Sequence, residues 1–307
     1  MKVGAKMSLR IRQTVFPLLA AMIWGAAFVF QSVTTDIIGP LTFTASRASV
    51  AVFALLPVIF AFRVSKERQG TKVEKTDFKH LLKAGVFCGV FLTIGATLQQ
   101  AGLGYTSAGK AAFITALYIV IVPVCGVFFG SKPTAKMWVS VAVAVGGLYF
   151  LSVQPGEFSI AVGDLILLAC AFGFSGQILM IDHFAPKCDP IELCCMQFAV
   201  EAVLCWLGAF ILENPSLHAI WACMGSILYV GIFSSAVAFT LQIVAQKDGD
   251  PTLVSIILSL ESFFGAVAGA VLLHEAMSGR EMFGCALMMG ATILSQIPER
   301  TKTGLKV

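Results

Sequence analysis

Two carboxylates lie deep inside apolar stretches of this chain. Glu201 is about ten residues into the stretch 191–212, and Glu261 lies at a similar depth in the stretch 252–273. An ionisable side chain at membrane depth costs about 2.5–3.5 kcal/mol on insertion scales. Each carboxylate therefore has two interpretations, a proton- or substrate-binding group that faces a cavity or a structural acid inside a helix bundle. For Glu261 we favour neither interpretation over the other, whereas for Glu201 we favour the structural one.

Two cations also fall within apolar stretches. Arg47 is seven residues into the stretch 40–62, and Lys110 is near the start of 107–129. Both side chains are long enough to reach the external interface while their stems stay in apolar surroundings. The alternative is a structural or gating charge with a buried partner, which we favour for Arg47. A further alternative for Lys110, on a cavity-lining helix, is to attract anionic groups of a substrate, and we do not favour it.

Amides and aromatic rings form the next group of candidates. Gln99 and Gln242 each end a Thr-Leu-Gln tripeptide, 143 residues apart, and Gln177 lies in another apolar stretch. An amide both donates and accepts hydrogen bonds, which suits a cavity for polar solutes. Its alternative role is a hydrogen bond between membrane helices. The aromatic residues expected in the same wall are Trp24, Phe28 and Tyr118.

The elements that must position these residues are apolar segments of membrane-spanning length. Of the 307 residues, 58% are hydrophobic and 12% are charged, against about 25% charged in soluble domains. A spanning helix needs about 20 mostly apolar residues. The composition predicts an all-α polytopic membrane protein with ten transmembrane helices, of which the fifth and tenth are short. The ten segments are 13–33, 40–62, 81–101, 107–129, 137–153, 163–182, 191–212, 219–244, 252–273 and 281–297.

Basic residues predict how these helices are threaded. With the N-terminus inside and ten spans, all but three of the 21 Lys and Arg residues fall in inside segments. The three others are Arg47, Lys110 and Arg280. Positive charges favour the cytoplasmic side. We therefore expect a multi-pass protein of the cell membrane, plasma or bacterial inner, with both termini cytoplasmic.

An internal repeat divides the ten segments into two sets of five. Besides the Thr-Leu-Gln tripeptide, three further matches occur at offsets near 143–150 residues. They are Gly85-Val86-Phe87 with Gly231-Ile232-Phe233, Pro40 with Pro190, and Gly146 with Gly290. Because five is odd, the second set starts from the other side of the membrane, which gives an inverted-topology repeat. The predicted repeats are 1–153 and 163–307.

Several motifs occur in an order that is typical of one family. They are Trp24-Gly25, Arg47 seven residues after Pro40, the segment 104–123, Gly163-Asp164 and the segment 255–275. On these residues the chain resembles the EamA-type transporters of the drug/metabolite transporter (DMT) superfamily. It departs from the family at Ser262, where proline often follows the glutamate, so a proline kink is not predicted there. The resemblance implies two inverted five-helix repeats and export of small metabolites or drug-like compounds through a central cavity.

Together, the residues and the resemblance predict a secondary transporter, and specifically an exporter, that works by alternating access. The cavity should lie between the repeats and be lined by spans 1, 3, 4, 6, 8 and 9. Its expected solutes are small metabolites, amino acids or drug-like compounds, and proton coupling and a monomeric or homodimeric state stay open. The expected substrate-binding residues are Trp24, Phe28, Gln99, Tyr118, Gln177, Gln242 and Glu261, with Arg47, Lys110 and Glu201 as structural or gating charges.

The alternatives are an integral-membrane enzyme or a channel without a recognisable motif. His274-Glu275 begins a zinc-protease pattern, but Ser278 stands where the second histidine would be. We predict no catalytic residue, no metal site and no cofactor. A net charge of +4 without a long basic stripe also argues against a nucleic-acid partner.

Overall fold

The architecture is entirely helical across the part of the chain that the computed structural model describes. The described residues are 2–68, 76–106, 108–128, 130–153, 162–247, 249–272 and 278–297. The prediction of an all-α polytopic fold is confirmed.

The helices follow the predicted apolar segments closely. The first half contains α1 (Lys2–Ser32), α2 (Pro40–Arg68), α3 (Phe78–Leu103), α4 (Ala108–Thr115), α5 (Tyr118–Phe128) and α6 (Ala135–Ser152). The second half contains α7 (Val162–Phe184), α8 (Pro190–Leu212), α9 (Leu217–Ala222), α10 (Met224–Tyr229), a π-helix (Val230–Ala238), α11 (Phe239–Gln246), α12 (Pro251–Leu258), α13 (Glu261–Leu272) and α14 (Gly279–Gln296).

Eight segments among the described residues are long and apolar enough to cross a membrane. The two remaining candidates are α6, a shorter apolar helix, and α14, which are the fifth and tenth segments that the sequence marked as short. The exact count of ten spans stays a prediction.

Two helices begin where an acidic cap precedes a proline. Asp189 accepts hydrogen bonds from the N–H groups of Ile191 and Glu192, and Pro190 occupies the first position of α8. Asp250 and Pro251 start α12 in the same way. The capping oxygen satisfies N–H groups that have no partner within the helix, and proline already has the required φ angle. These pairs fix where the two helices begin after their short connections.

Three of the segments predicted as continuous helices are interrupted. The fourth breaks at residues 116–117 and the ninth at 259–260, while the eighth contains the π-helix Val230–Ala238. In the ninth, the Ser259 hydroxyl donates to the Ile256 carbonyl at 2.8 Å. Such back-bonding competes with the α-helical pattern and bends the chain. The helix therefore breaks before Glu261 although residue 262 is serine and not the proline that is frequent in the family.

The helix packing keeps its pattern when the two halves are exchanged. α3 packs along α7 and α8, just as the π-helix packs against α1 and α2. The contacts of α1 with α12 and α13 correspond to those of α7 with α4 and α5. The contacts α2–α8 and α6–α14 each join two helices that occupy the same place in their halves, so exchange of the halves leaves these contacts unchanged. The core lies between the halves, so side chains from both converge on the middle of the bundle.

Close helix crossings are made at glycines. A Cβ atom added at Gly173 of α7 would lie 2.6 Å from the backbone nitrogen of Gly95 in α3. Because a backbone atom cannot move aside as a side chain can, we expect Gly173→Ala to destabilise the protein by about 1–3 kcal/mol. Thermal unfolding of the detergent-purified protein measures the loss. Gly146→Ala is the control, since nothing lies within 4 Å of its added Cβ. Equal melting temperatures for the two variants would contradict this account.

Candidate functional site

A cavity with about 530 Å³ of empty space, which includes open solvent at its mouth, lies at the centre of the bundle. Its wall is built by both halves of the chain, from spans 1, 3, 4, 6, 8 and 9, with Arg47 added from span 2. All seven side chains predicted to bind substrate line this central cavity. They are Trp24, Phe28, Gln99, Tyr118, Gln177, Gln242 and Glu261.

The two broken spans meet in the wall of the central cavity. Tyr118 is the first residue of α5 and Glu261 the first of α13, so each directly follows a break. The two breaks are alike, because Leu117 and Leu260 each donate to the carbonyl three residues earlier. The Tyr118 hydroxyl donates to Glu261 Oε1 at 3.1 Å, and Glu261 is only 5% exposed. The interruptions thus bring a phenol and a carboxylate together at the interface between the halves.

A chain of amides leads from the cavity wall into the bundle. Gln242 Nε2 donates to Gln177 Oε1 at 3.2 Å, and Gln177 Nε2 donates to Gln197 Oε1 at 3.3 Å. Gln177 and Gln242 therefore combine the two roles predicted for glutamine. They line the cavity, and their hydrogen bonds link the helices α7, α8 and α11. The Gln99 side chain lines the cavity and makes no hydrogen bond to another described residue.

The three charges predicted as structural or gating residues differ in position. Arg47 is buried rather than extended to the interface, and its guanidinium donates to Glu201 at 3.2 Å and to the Ser235 hydroxyl at 3.1 Å. Glu201 is fully buried and stands behind Arg47, outside the cavity lining. The pair joins α2, α8 and the π-helix. Lys110 lies in α4, and its side chain is outside what the structure describes.

No metal centre accompanies this site in the described part of the chain. Nowhere in the described ranges do three or more His, Cys, Asp or Glu side chains lie together in a group that could hold an ion. His274 and Glu275 lie outside the described residues.

Comparison with known proteins decides the family. The EamA-like transporter family matches residues 14–153 and 161–296, which together make up most of the chain. The chain belongs to the EamA-like transporter family. It is therefore a multi-pass membrane transporter, as the motifs predicted.

Relatives of this EamA-like chain are also named as transporters. An "uncharacterized transporter" of Archaeoglobus fulgidus is 29% identical over 90% of this chain and 83% of its own length. The "uncharacterized transporter YwfM" of Bacillus subtilis is 23% identical, with 94% and 96% covered. A solved structure that is 18% identical in sequence shares the fold, with a TM-score of 0.73 over 92% of this chain and 95% of that one.

Other residues that line the cavity of this EamA-like protein were not predicted from the sequence. Gln31 lies seven residues after Trp24, on the same face of α1, so helical periodicity could have found it. Ser234 belongs to the π-helix, whose different period hides its orientation. The Ser234 carbonyl accepts a hydrogen bond from Trp24 Nε1 at 3.2 Å. The centroids of the Phe239 and Trp24 rings are 4.8 Å apart.

Proposed function

We propose that this EamA-like protein is a secondary transporter that exports small metabolites, amino acids or drug-like compounds across the cell membrane. The single observation that carries the proposal is the Tyr118–Glu261 contact, which joins two interrupted spans inside the central cavity. Interrupted helices at corresponding positions of two halves are typical of the binding sites of secondary transporters. The site residues are the seven predicted ones, and Arg47 and Glu201 hold the scaffold beside them.

The two halves of the chain act as moving parts in this proposal. Residues 1–153 and 163–307 are two five-helix repeats of inverted topology, and alternating access results from rocking one against the other around the cavity. The two separate family matches support this division, as does the packing pattern that survives exchange of the halves. The distribution of Lys and Arg supports cytoplasmic termini.

Glu261 gives the transport cycle a group that can bind and release a proton. It is the one acidic side chain among the described residues that line the cavity. A carboxylate that holds a proton in one conformation and loses it in the other couples solute movement to a pH gradient. We therefore propose proton coupling through Glu261, with Tyr118 orienting the carboxylate.

Reconstitution of the purified protein into liposomes tests this proposal. Labelled amino acids and dyes are screened for movement with and without an imposed pH gradient, against protein-free liposomes. We expect at least one solute to move faster in the presence of protein, and the gradient to increase its rate. If no solute moves faster than in protein-free liposomes, the proposal is wrong.

A further inference from the structure

The wall of the central cavity has one acidic side chain without a charged partner among its described residues. The charged lining residues are Arg47 and Glu261. Glu201 neutralises Arg47 at 3.2 Å, whereas the described partner of Glu261 is the neutral hydroxyl of Tyr118. An unpaired buried charge is costly unless a ligand or a proton compensates it. When Glu261 is ionised, the charge balance therefore favours a cationic ligand.

Several hydrogen-bond donors of the wall are already engaged, whereas some of its acceptors are not. The Trp24 N–H, the Tyr118 hydroxyl and the Gln177 amide donate to protein acceptors. Oε2 of Glu261 and Oε1 of Gln242, by contrast, are acceptors without a partner among the described residues, and the Gln99 amide adds one further acceptor and one donor. Gln242 is 1% exposed, so its oxygen has been removed from bulk water without compensation. A ligand that donates hydrogen bonds would satisfy both.

The direction of the hydrogen bonds in the amide chain follows from the contacts of Cys194, which lies beside Gln197 at the end away from the cavity. The Cys194 thiol contacts the carbonyls of Ser235 at 3.8 Å and Ala236 at 3.9 Å, to which it donates. Its sulfur is then left to accept from Gln197 Nε2 at 4.0 Å. In this arrangement Gln197 Oε1 accepts from Gln177, and Gln177 Oε1 accepts from Gln242. The chain therefore ends on an acceptor, Gln242 Oε1, at the cavity wall.

Aromatic rings complete the wall. Trp24, Phe28, Phe174 and Phe239 line the cavity beside Tyr118. The faces of such rings attract cations, and their area suits an apolar body. The same wall thus provides a negative charge, free acceptors and apolar surface.

We propose that the ligand of the central cavity is a protonated primary amine on an apolar or aromatic body. Its ammonium group is held by the Glu261 carboxylate and by Gln242 Oε1, and its body packs on the aromatic rings. This inference rests on the proposed function, in which the cavity is the substrate site. A carboxylate on the same ligand finds no unpaired positive charge among the described lining residues, because Arg47 is paired with Glu201.

Three compounds with the same ring and a similar side chain test the ligand class. Phenethylamine, L-phenylalanine and 3-phenylpropanoate are titrated into detergent-purified protein by calorimetry. We expect phenethylamine to bind, phenylalanine to bind about tenfold or more weakly because its carboxylate is desolvated without a partner, and phenylpropanoate not to bind. Binding of phenylalanine as tight as that of the amine, or any binding of phenylpropanoate, would overturn the proposal.

Two glutamines of α11 provide a matched pair of variants. Gln242 and Gln246 are both 1% exposed, and each has an Oε1 without a partner among the described residues. Gln246 donates to the Ile178 carbonyl at 3.1 Å and is not among the lining residues. Gln242→Leu should weaken phenethylamine binding about tenfold or more, whereas Gln246→Leu should leave it unchanged. Equal losses in the two variants would refute the role of Gln242, and the wild-type titrations need no variant to fold.

The binding assay separates this inference from the proposed function. If phenethylamine binds and no solute is transported, the ligand class stands and the transport proposal fails. If other solutes are transported and phenethylamine does not bind, the transport proposal stands and the ligand class is wrong.

Discussion

Replacing Glu261 with glutamine is expected to lower gradient-driven transport by about tenfold or more. The amide has nearly the shape of the carboxylate but has no charge and cannot carry a proton. The variant therefore loses both the charge-assisted contact with a ligand and the group that couples transport to the pH gradient. The measurement is the initial rate of solute movement in proteoliposomes with an imposed pH gradient, normalised to the amount of inserted protein.

Glu192→Gln is the control for this change. Glu192 pairs with Arg63 at 2.6 Å outside the cavity, and the Arg63 side chain is 57% exposed. Exposed ion pairs contribute about 0–1 kcal/mol, so this variant should fold and transport like the wild type. If Glu261→Gln and Glu192→Gln both keep the wild-type rate and its dependence on the gradient, Glu261 is a structural acid and our assignment is wrong.

The buried Arg47–Glu201 pair should have the largest effect on stability. Arg47→Ala or Glu201→Ala removes one partner and leaves the other charge buried, with exposures of 4% and 0% in the intact protein. Breaking a buried pair in this way costs about 3–5 kcal/mol. The double variant should lose less than the sum of the single losses, because no charge is then left uncompensated. Unfolding of the four proteins in detergent measures these differences.

The Arg63–Glu192 pair serves as the exposed reference in the same experiment. Its single variants should lose about 0–1 kcal/mol, because the Arg63 side chain is 57% exposed and solvent screens the pair. Single losses at Arg47 and Glu201 that match those at the exposed pair would show that the buried pair is not needed for folding. Additive losses in the Arg47–Glu201 double variant would likewise show that the two charges do not interact.

The helical segments could be predicted from the sequence because hydropathy and helix-start signals are local. Asp-Pro pairs begin α8 and α12 at the predicted connections, and the apolar segments became helices. The breaks at 116–117 and 259–260 could not be predicted in this way. A change from a four-residue to a three-residue hydrogen-bond spacing leaves composition and mean hydropathy unchanged. The same holds for the π-helix Val230–Ala238.

The sequence was sufficient to predict which residues line the cavity, but not which hydrogen bonds they make. Polar side chains inside apolar segments are costly to expose to lipid, so Gln99, Gln177, Gln242 and Glu261 were candidates on that ground alone. Their hydrogen bonds depend on which helices pack together, and that is a tertiary property. The contact of Tyr118 with Glu261 therefore had to be read from the structure, although both residues had been named.

Counterflow in proteoliposomes tests the central claim, alternating access to one cavity, most directly. Vesicles are preloaded with an unlabelled solute that moves in the screen, and uptake of a trace of the same labelled solute is followed. A carrier must bind a solute on each side in turn, so we predict a transient accumulation of label above its equilibrium level. The preloaded solute competes for the inward-facing site and delays the return of label. Label that rises to equilibrium without an overshoot, at a rate proportional to solute concentration, would contradict the account and indicate a channel.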